Sequence, residues 1–295
     1  MKRLLMGWLC VFFSGAVLAD GGVGAVRRQV QASMLVTGSI VVAQDGSVDS
    51  YTLDKQDKLP PLVLEVISKT VPHWSFAIDV ADFQEYMRIS QAKLLKTTMN
   101  LRVLAVAADS QQYSVSISKA SFGEDASAEG KASSDRLTGK SLAAPRYPSK
   151  SLHDGVGGTV YVEVRIGRDG RVEDQVARQV NLHVIATESS MAIFRKDLAN
   201  AAVEAARHWK FNPPTSGREA GLQHWYALIP VNFCPDVRCA QEAYGKWVGY
   251  VPGPNTPAPW HDDPGALAEN SDAMPAGVAF QPDRRLKLLT SLDNS

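Results

Sequence analysis

Gly158-Thr-Val-Tyr-Val-Glu-Val-Arg-Ile-Gly-Arg-Asp-Gly-Arg-Val172 is the stretch that decides the fold. Val160, Val162, Val164 and Ile166 alternate with Tyr161, Glu163 and Arg165, the period of two that marks a half-buried strand. Asp169-Gly170 follows with hairpin chemistry, because glycine accepts the positive φ of the turn, so Arg171–Val176 returns antiparallel. Downstream, Leu198, Ala201, Ala202, Ala205 and Trp209 recur at helical spacing and predict one amphipathic helix over 197–209. Asn212-Pro213-Pro214 stops it. Trp225, Ala227, Ile229, Val231 and Phe233 alternate again as a further strand. The order β-β-α-β buries its apolar faces when the helix lies on one side of a small antiparallel sheet, an α+β fold.

An earlier segment follows the same plan. Val36, Gly38, Ile40 and Val42 lead to a second Asp-Gly turn at Asp45-Gly46, and Pro60-Pro61 opens a helix-like run that ends at Pro72-His73-Trp74. Met99, Leu101, Val103 and Ala105 form a strand, with Tyr113, Val115 and Ile117 in one more. Two signatures recur in order: [Val/Ile]-x-x-Asp-Gly-x-Val at 42–48 and 166–172, and His-Trp-x-Phe at 73–76 and 208–211. Together they imply an internal duplication, hence two domains. The expected division is a leader over 1–19, a first α+β domain over 30–122, a polar linker over 123–143 and a second domain over 144–240. A Gly/Pro-rich tail over 241–295 completes it. Trp247, Tyr250 and Trp260 are candidates to fasten that tail, and Leu286, Leu288 and Leu289 suggest a short terminal helix over 282–292.

The N-terminus reads as an export signal: basic Lys2-Arg3, an apolar run from Leu4 to Phe13, then small residues before a cut between Ala19 and Asp20. The 16 residues from Leu4 to Ala19 fall short of the ~20 that span a hydrocarbon core, which favours cleavage over retention as an inner-membrane anchor. Cys10 does not make a lipoprotein site, since Leu9 stands where a small residue is required. Export predicts a periplasmic protein. It leaves Cys234 and Cys239, an even count that favours a disulfide, with two free thiols as the alternative. Apolar residues are 45% and charged residues 21%, ordinary for a folded chain. Thirty-one basic residues balance thirty-one acidic ones, which speaks against nucleic acid as a partner.

Pro145-Arg-Tyr-Pro148, Gly158-Thr-Val-Tyr-Val162, Arg168-Asp-Gly-Arg-Val172, the alanine-rich run to Trp209-Lys-Phe211 and Ile229-Pro-Val-Asn-Phe233 together resemble the C-terminal domain of the TonB family. The resemblance covers 144–234, and 34–119 looks like a diverged relative of the same domain. It implies a non-catalytic periplasmic module that binds the plug region or box peptide of outer-membrane receptors. An extended peptide can add a strand to an exposed sheet edge. By that carry-over the docking edge is the last strand: Trp225, Tyr226, Ala227, Leu228, Ile229, Val231 and Phe233. The same exposed edge could pair two copies into a homodimer. The family's energy transducer keeps its N-terminal helix and crosses the periplasm on a Pro/Lys-rich arm. This chain has no such arm, and 123–143 holds no proline. An envelope scaffold that kept the fold without energy coupling is therefore the alternative function.

Catalytic and cofactor signatures are missing from the sequence. The six histidines include no His-Glu-x-x-His, no Gly-x-Ser-x-Gly surrounds a serine, and Gly155-Val-Gly-Gly158 precedes a strand rather than a helix. The expectation is a non-enzyme without cofactor or metal. His73 and His208 are expected to pack beside Trp74 and Trp209, and Arg165, Arg168 and Arg171 to form a solvated hairpin tip.

Overall fold

The computed structural model describes residues 22–79, 83–84, 87–88, 94–109, 112–125, 136–236, 244–260, 280–282 and 285–292. It is an α+β structure built on antiparallel sheets, as expected. In the second half, β7 (Gly158–Ile166) and β8 (Val172–Leu182) form the Asp-Gly hairpin; α4 (Glu188–Ala206), β9 (Lys210–Asn212) and β10 (Trp225–Phe233) follow. In the first half the same order runs through β1 (Gln31–Val42), β2 (Val48–Leu53), α2 (Pro61–Thr70), β3 (Phe76–Ile78) and β4 (Leu95–Asp109). An extra strand, β5 (Gln112–Asp125), pairs with β4. Two short helices, α1 (Val23–Arg27) and α3 (Ser149–His153), and the strand β6 (Thr138–Ser141) lie between or before these units. The tail supplies β11 (Val248–Tyr250), β12 (Phe280–Pro282) and β13 (Leu286–Leu288).

Strand order is β8-β7-β10 in one half and β2-β1-β4 in the other, so each final strand pairs with its half's first strand. Both Asp-Gly turns are locked in one way. Gly46 has φ +84° and Gly170 φ +75°. Asp45 Oδ1 accepts the Ser47 N–H at 2.9 Å, and Asp169 Oδ1 accepts the Arg171 N–H at 3.0 Å. The glycine carbonyls then accept from the phenylalanine of each Trp-x-Phe: Phe76 N–H to Gly46 at 2.9 Å, and Phe211 N–H to Gly170 at 2.8 Å. Each half has its own apolar core, one around Val160, Leu198, Trp209 and Phe211, the other around Ile40, Ile67, Trp74 and Phe76.

Helix α4 begins nine residues before the expected start. Thr187 caps it by accepting the Ser190 N–H at 3.3 Å, and Met191 extends its buried face ahead of Leu198, Ala202 and Ala206. The helix ends at Ala206, and Trp209 turns into the core with its indole N–H on the Ala143 carbonyl at 2.9 Å.

Four further expectations change. Strand β7 is buried on both faces rather than one, with Tyr161 3% and Glu163 0% exposed, because the tail crosses its outer face. The polar segment 123–143 is structured at both ends: β5 runs to Asp125, Leu137 is buried and β6 pairs with β9. Leu286–Leu288 forms a strand on β3 instead of a helix, which satisfies backbone groups that the three-residue β3 would otherwise leave unpaired. His73 and His208 are exposed, and only their tryptophan neighbours pack inside.

Candidate docking edge

The sheet of residues 158–233 has two outer edges, β8 and β10, and the tail treats them differently. Along β8, Val251 N–H donates to the Leu182 carbonyl at 2.8 Å and Leu182 N–H donates back at 3.1 Å. Thr256 N–H reaches the Arg178 carbonyl at 2.7 Å, and Gly253 N–H reaches Asn181 Oδ1 at 3.2 Å. Gln179 Nε2 donates to the Gly253 carbonyl at 3.1 Å, and Arg195 Nη2 to that of Pro252 at 3.1 Å. A Cβ at Gly253 would lie 2.2 Å from the Val180 carbonyl oxygen, so only glycine lets the strap approach this closely. Pro252, Pro254 and Pro257 add no outward N–H donors. The β8 edge is sealed along this strap.

Strand β10 is different. One side pairs with β7 from Trp225↔Ile166 to Phe233↔Gly158. Among the described residues the other side meets β12 at Leu228↔Phe280. Pro230 stands inside the β7 register opposite Tyr161. A proline has no N–H to give a ladder, so its nitrogen belongs on the side away from β7. Backbone groups alternate along a strand, which puts those of Tyr226, Leu228 and Asn232 on that same outer side.

All seven expected docking residues therefore lie on one strand, with their side chains mostly committed to packing. Trp225, Ala227, Ile229, Val231 and Phe233 belong to the helix-side core, and Leu228 packs with Tyr161 on the opposite face. Tyr226 is half-buried. What the edge offers a partner is chiefly its backbone. Cys234 follows β10 directly and is half-buried, whereas Cys239, Ala19 and Asp20 lie outside the described residues.

Beneath the tail lies a charged pair that the alternating pattern of β7 does not announce. Arg178 Nη1 and Glu163 Oε2 are 2.5 Å apart, both side chains at 1% exposure or less. Trp260 Nε1 donates to Glu163 Oε1 at 2.9 Å, and Arg165 lies over the Trp260 ring at 5.9 Å. Of the expected fasteners, Trp260 thus binds the outer face and Tyr250 pairs with Gln31 of β1, while Trp247 is 38% exposed. The hairpin arginines are dispersed among partners: Arg165 toward Glu173 and Asp174, Arg171 toward Asp169, and Arg168 donating to the Leu222 carbonyl. Tyr147, from the Pro-Arg-Tyr-Pro motif, stacks edge-on to Phe233 at 5.3 Å and donates to the Val156 carbonyl at 2.6 Å. Burial pushes its phenol up to about 12.

Among the described residues no group of three or more His, Cys, Asp or Glu side chains is placed to hold a metal ion. No described helix is long and apolar enough to cross a membrane. Fold and site together define a class: an α+β module whose outermost strand β8 is strapped by the tail and whose last strand β10 is followed in the sheet by the short strand β12. A family model described as the C-terminal domain of the Gram-negative bacterial TonB protein matches residues 143–235. Two curated relatives named "Protein TonB", from two strains of Xanthomonas campestris pv. campestris, are each 32% identical over 98 residues. That alignment covers 33% of this chain and 37% of each relative, so the chain spans little more than a third of their length. Residues 143–235 thus match the TonB C-terminal domain in both comparisons.

Proposed function

We propose that this protein is an exported, non-catalytic binding protein of the cell envelope that captures extended peptides on the β10 edge. By analogy with its TonB-type domain, those peptides come from the plug or box regions of outer-membrane receptors, and the protein serves TonB-dependent transport. One observation carries the reading: among the described residues, the tail closes β8 over 178–182 through a run of hydrogen bonds and meets β10 at one residue pair. Backbone pairing supplies affinity in such strand addition, which suits an edge whose side chains are occupied elsewhere.

The remaining parts of the proposal follow the sequence. Residues 30–122 are a diverged copy of the 144–240 domain, supported by the matched turn-to-phenylalanine bonds of Gly46 and Gly170. Cys234 and Cys239 form a disulfide behind β10, and the mature chain begins at Asp20 in the periplasm. Intact mass of the protein from periplasmic extract tests both points. The expected species starts at Asp20 and is two hydrogens lighter than the reduced chain; a species retaining Lys2–Ala19 in the membrane fraction refutes the cleavage.

Docking is tested by fluorescence anisotropy of labelled receptor box peptides with the mature protein. Asn232→Pro removes an outward N–H from β10 and is expected to weaken binding about tenfold, the loss of roughly one net hydrogen bond. Binding by no box peptide, or binding indifferent to Asn232→Pro, overturns the assignment.

A further inference from the structure

Residues 244–260 bind the two halves of the molecule one after the other. Tyr244 Oη donates to the Thr37 carbonyl and accepts the Thr37 N–H, both at 3.3 Å, and the Lys55 ammonium lies 5.8 Å from its ring centre. β11 then pairs antiparallel with the start of β1: Val248 opposes Ser33, Gly249 opposes Ala32 and Tyr250 opposes Gln31. The next residue, Val251, exchanges both backbone hydrogen bonds with Leu182 of β8. Successive residues of an extended chain turn their backbone groups to opposite sides, so one short run of tail is held by β1 on one side and by β8 on the other. The sheet runs β11-β1-β4-β5-β12-β10-β7-β8, and the bridge from Val251 to Leu182 therefore joins its two ends. The beginning of the chain crosses at the same place. Val26 of α1 is 1% exposed within the core around Leu198 and Trp209, although β1 starts a few residues later in the other half. Gln29 Nε2 donates to Glu188 Oε1, in the first turn of α4, at 3.1 Å.

We propose that residues 248–260 are a clasp that closes the sheet into a ring and makes the two halves one cooperative body. Side chains as well as backbone hold its β8 half, since Arg195, Gln179 and Asn181 bind Pro252 and Gly253, and Trp260 completes the crossing on Glu163. Domains joined by a linker unfold separately and move independently. A sheet whose ends are joined has no outer edge from which to fray, so damage to either core is shared by both halves. A partner that binds one half then stabilises the other by linkage. None of this depends on β10 being a docking edge.

Two glycines of the tail make the test specific. A Cβ at Gly253 would lie 2.2 Å from the Val180 carbonyl oxygen, whereas one at Gly249 meets nothing within 4 Å. Gly253→Ala and Gly249→Ala therefore make the same change in the same segment, and only the first pushes the clasp off β8. Each full chain is taken through a urea series and pulsed with deuterium, and mass spectrometry reads protection of β4 in the first half and β7 in the second. The unmodified protein and Gly249→Ala are expected to lose protection in both strands at one urea concentration. Gly253→Ala is expected to separate the two midpoints by about 0.5 M or more. Arg195→Ala removes the bonds from α4 to the Val180 and Pro252 carbonyls, and is expected to separate them in the same direction by less. Separate midpoints in the unmodified protein overturn the proposal. So do coincident midpoints in Gly253→Ala, or in Arg195→Ala should Gly253→Ala not fold, and so does an equal separation in Gly249→Ala. Peptide binding does not enter this readout, so failure of the clasp and failure of the docking assignment are told apart.

Discussion

Replacing Glu163 by glutamine keeps the side chain's shape but removes the carboxylate that faces the buried Arg178 guanidinium. Glu163 is 0% exposed and Arg178 1%, with 2.5 Å between them, so water cannot take over the lost interaction without opening the tail. Breaking one side of such a buried pair costs about 3–5 kcal/mol. The amide oxygen of the introduced glutamine can still accept from Trp260, so that bond is not part of the loss. Replacing both partners, as Glu163→Leu with Arg178→Met, removes both charges and forfeits the Trp260 bond, for a net cost of about 1 kcal/mol. At roughly 2–4 °C per kcal/mol for a chain of this size, Glu163→Gln should melt about 10 °C lower, and the double variant within a few degrees of the unmodified protein. Urea unfolding followed by tryptophan fluorescence gives the free energies directly, since Trp260 sits on the pair. A Glu163→Gln cost below about 1 kcal/mol, or a double variant worse than either single one, would refute the view that the pair is desolvated beneath the tail.

Two further predictions test local geometry, the first by the same unfolding assays. Gly170→Ala is expected to cost about 3 kcal/mol or more, since a Cβ would lie 2.2 Å from the Phe211 carbonyl oxygen in addition to the strain of φ +75°. Gly155→Ala, at φ +67° with no atom within 4 Å, should lose only about 1–2 kcal/mol, and equal losses would discount the turn-to-phenylalanine contact. Tyr147 stays neutral in the folded protein up to about 12 whereas the unfolded chain ionises near 10.0, so its contribution holds below pH ~10 and is lost as pH rises from ~10 to ~12. Ultraviolet phenolate titration should show a late-ionising component near pH 12 that disappears in Tyr147→Phe; no difference between the two proteins would contradict the burial.

The parts of the fold legible in the sequence share a cause. Strand β7, both Asp-Gly turns, the apolar face of α4 and strand β10 are each specified by residues close together in the chain, through side-chain period or the φ a turn demands. The start of α4 was less visible because Thr187 caps a first turn of Glu188-Ser189-Ser190 that carries no apolar period. β6, β12 and β13 are three or four residues long, too short for any period to register. Glu163 reads as an outward position of an alternating strand, Arg178 lies beyond the return strand expected over 171–176, and nothing local says that residue 260 will cover them.

From its own residues, then, the chain determines two β-β-α-β units, the TonB-type character of the second and the strand on which a partner is expected to dock. Only the tertiary structure decides that both units share one nine-stranded sheet, that the tail straps β8, and that Phe280–Pro282, far downstream, lies between β10 and β5. The physical reason is that a short strand's partner is chosen by which backbone edge remains unsatisfied after the larger elements have packed. That is a property of the assembled sheet and not of the segment that completes it.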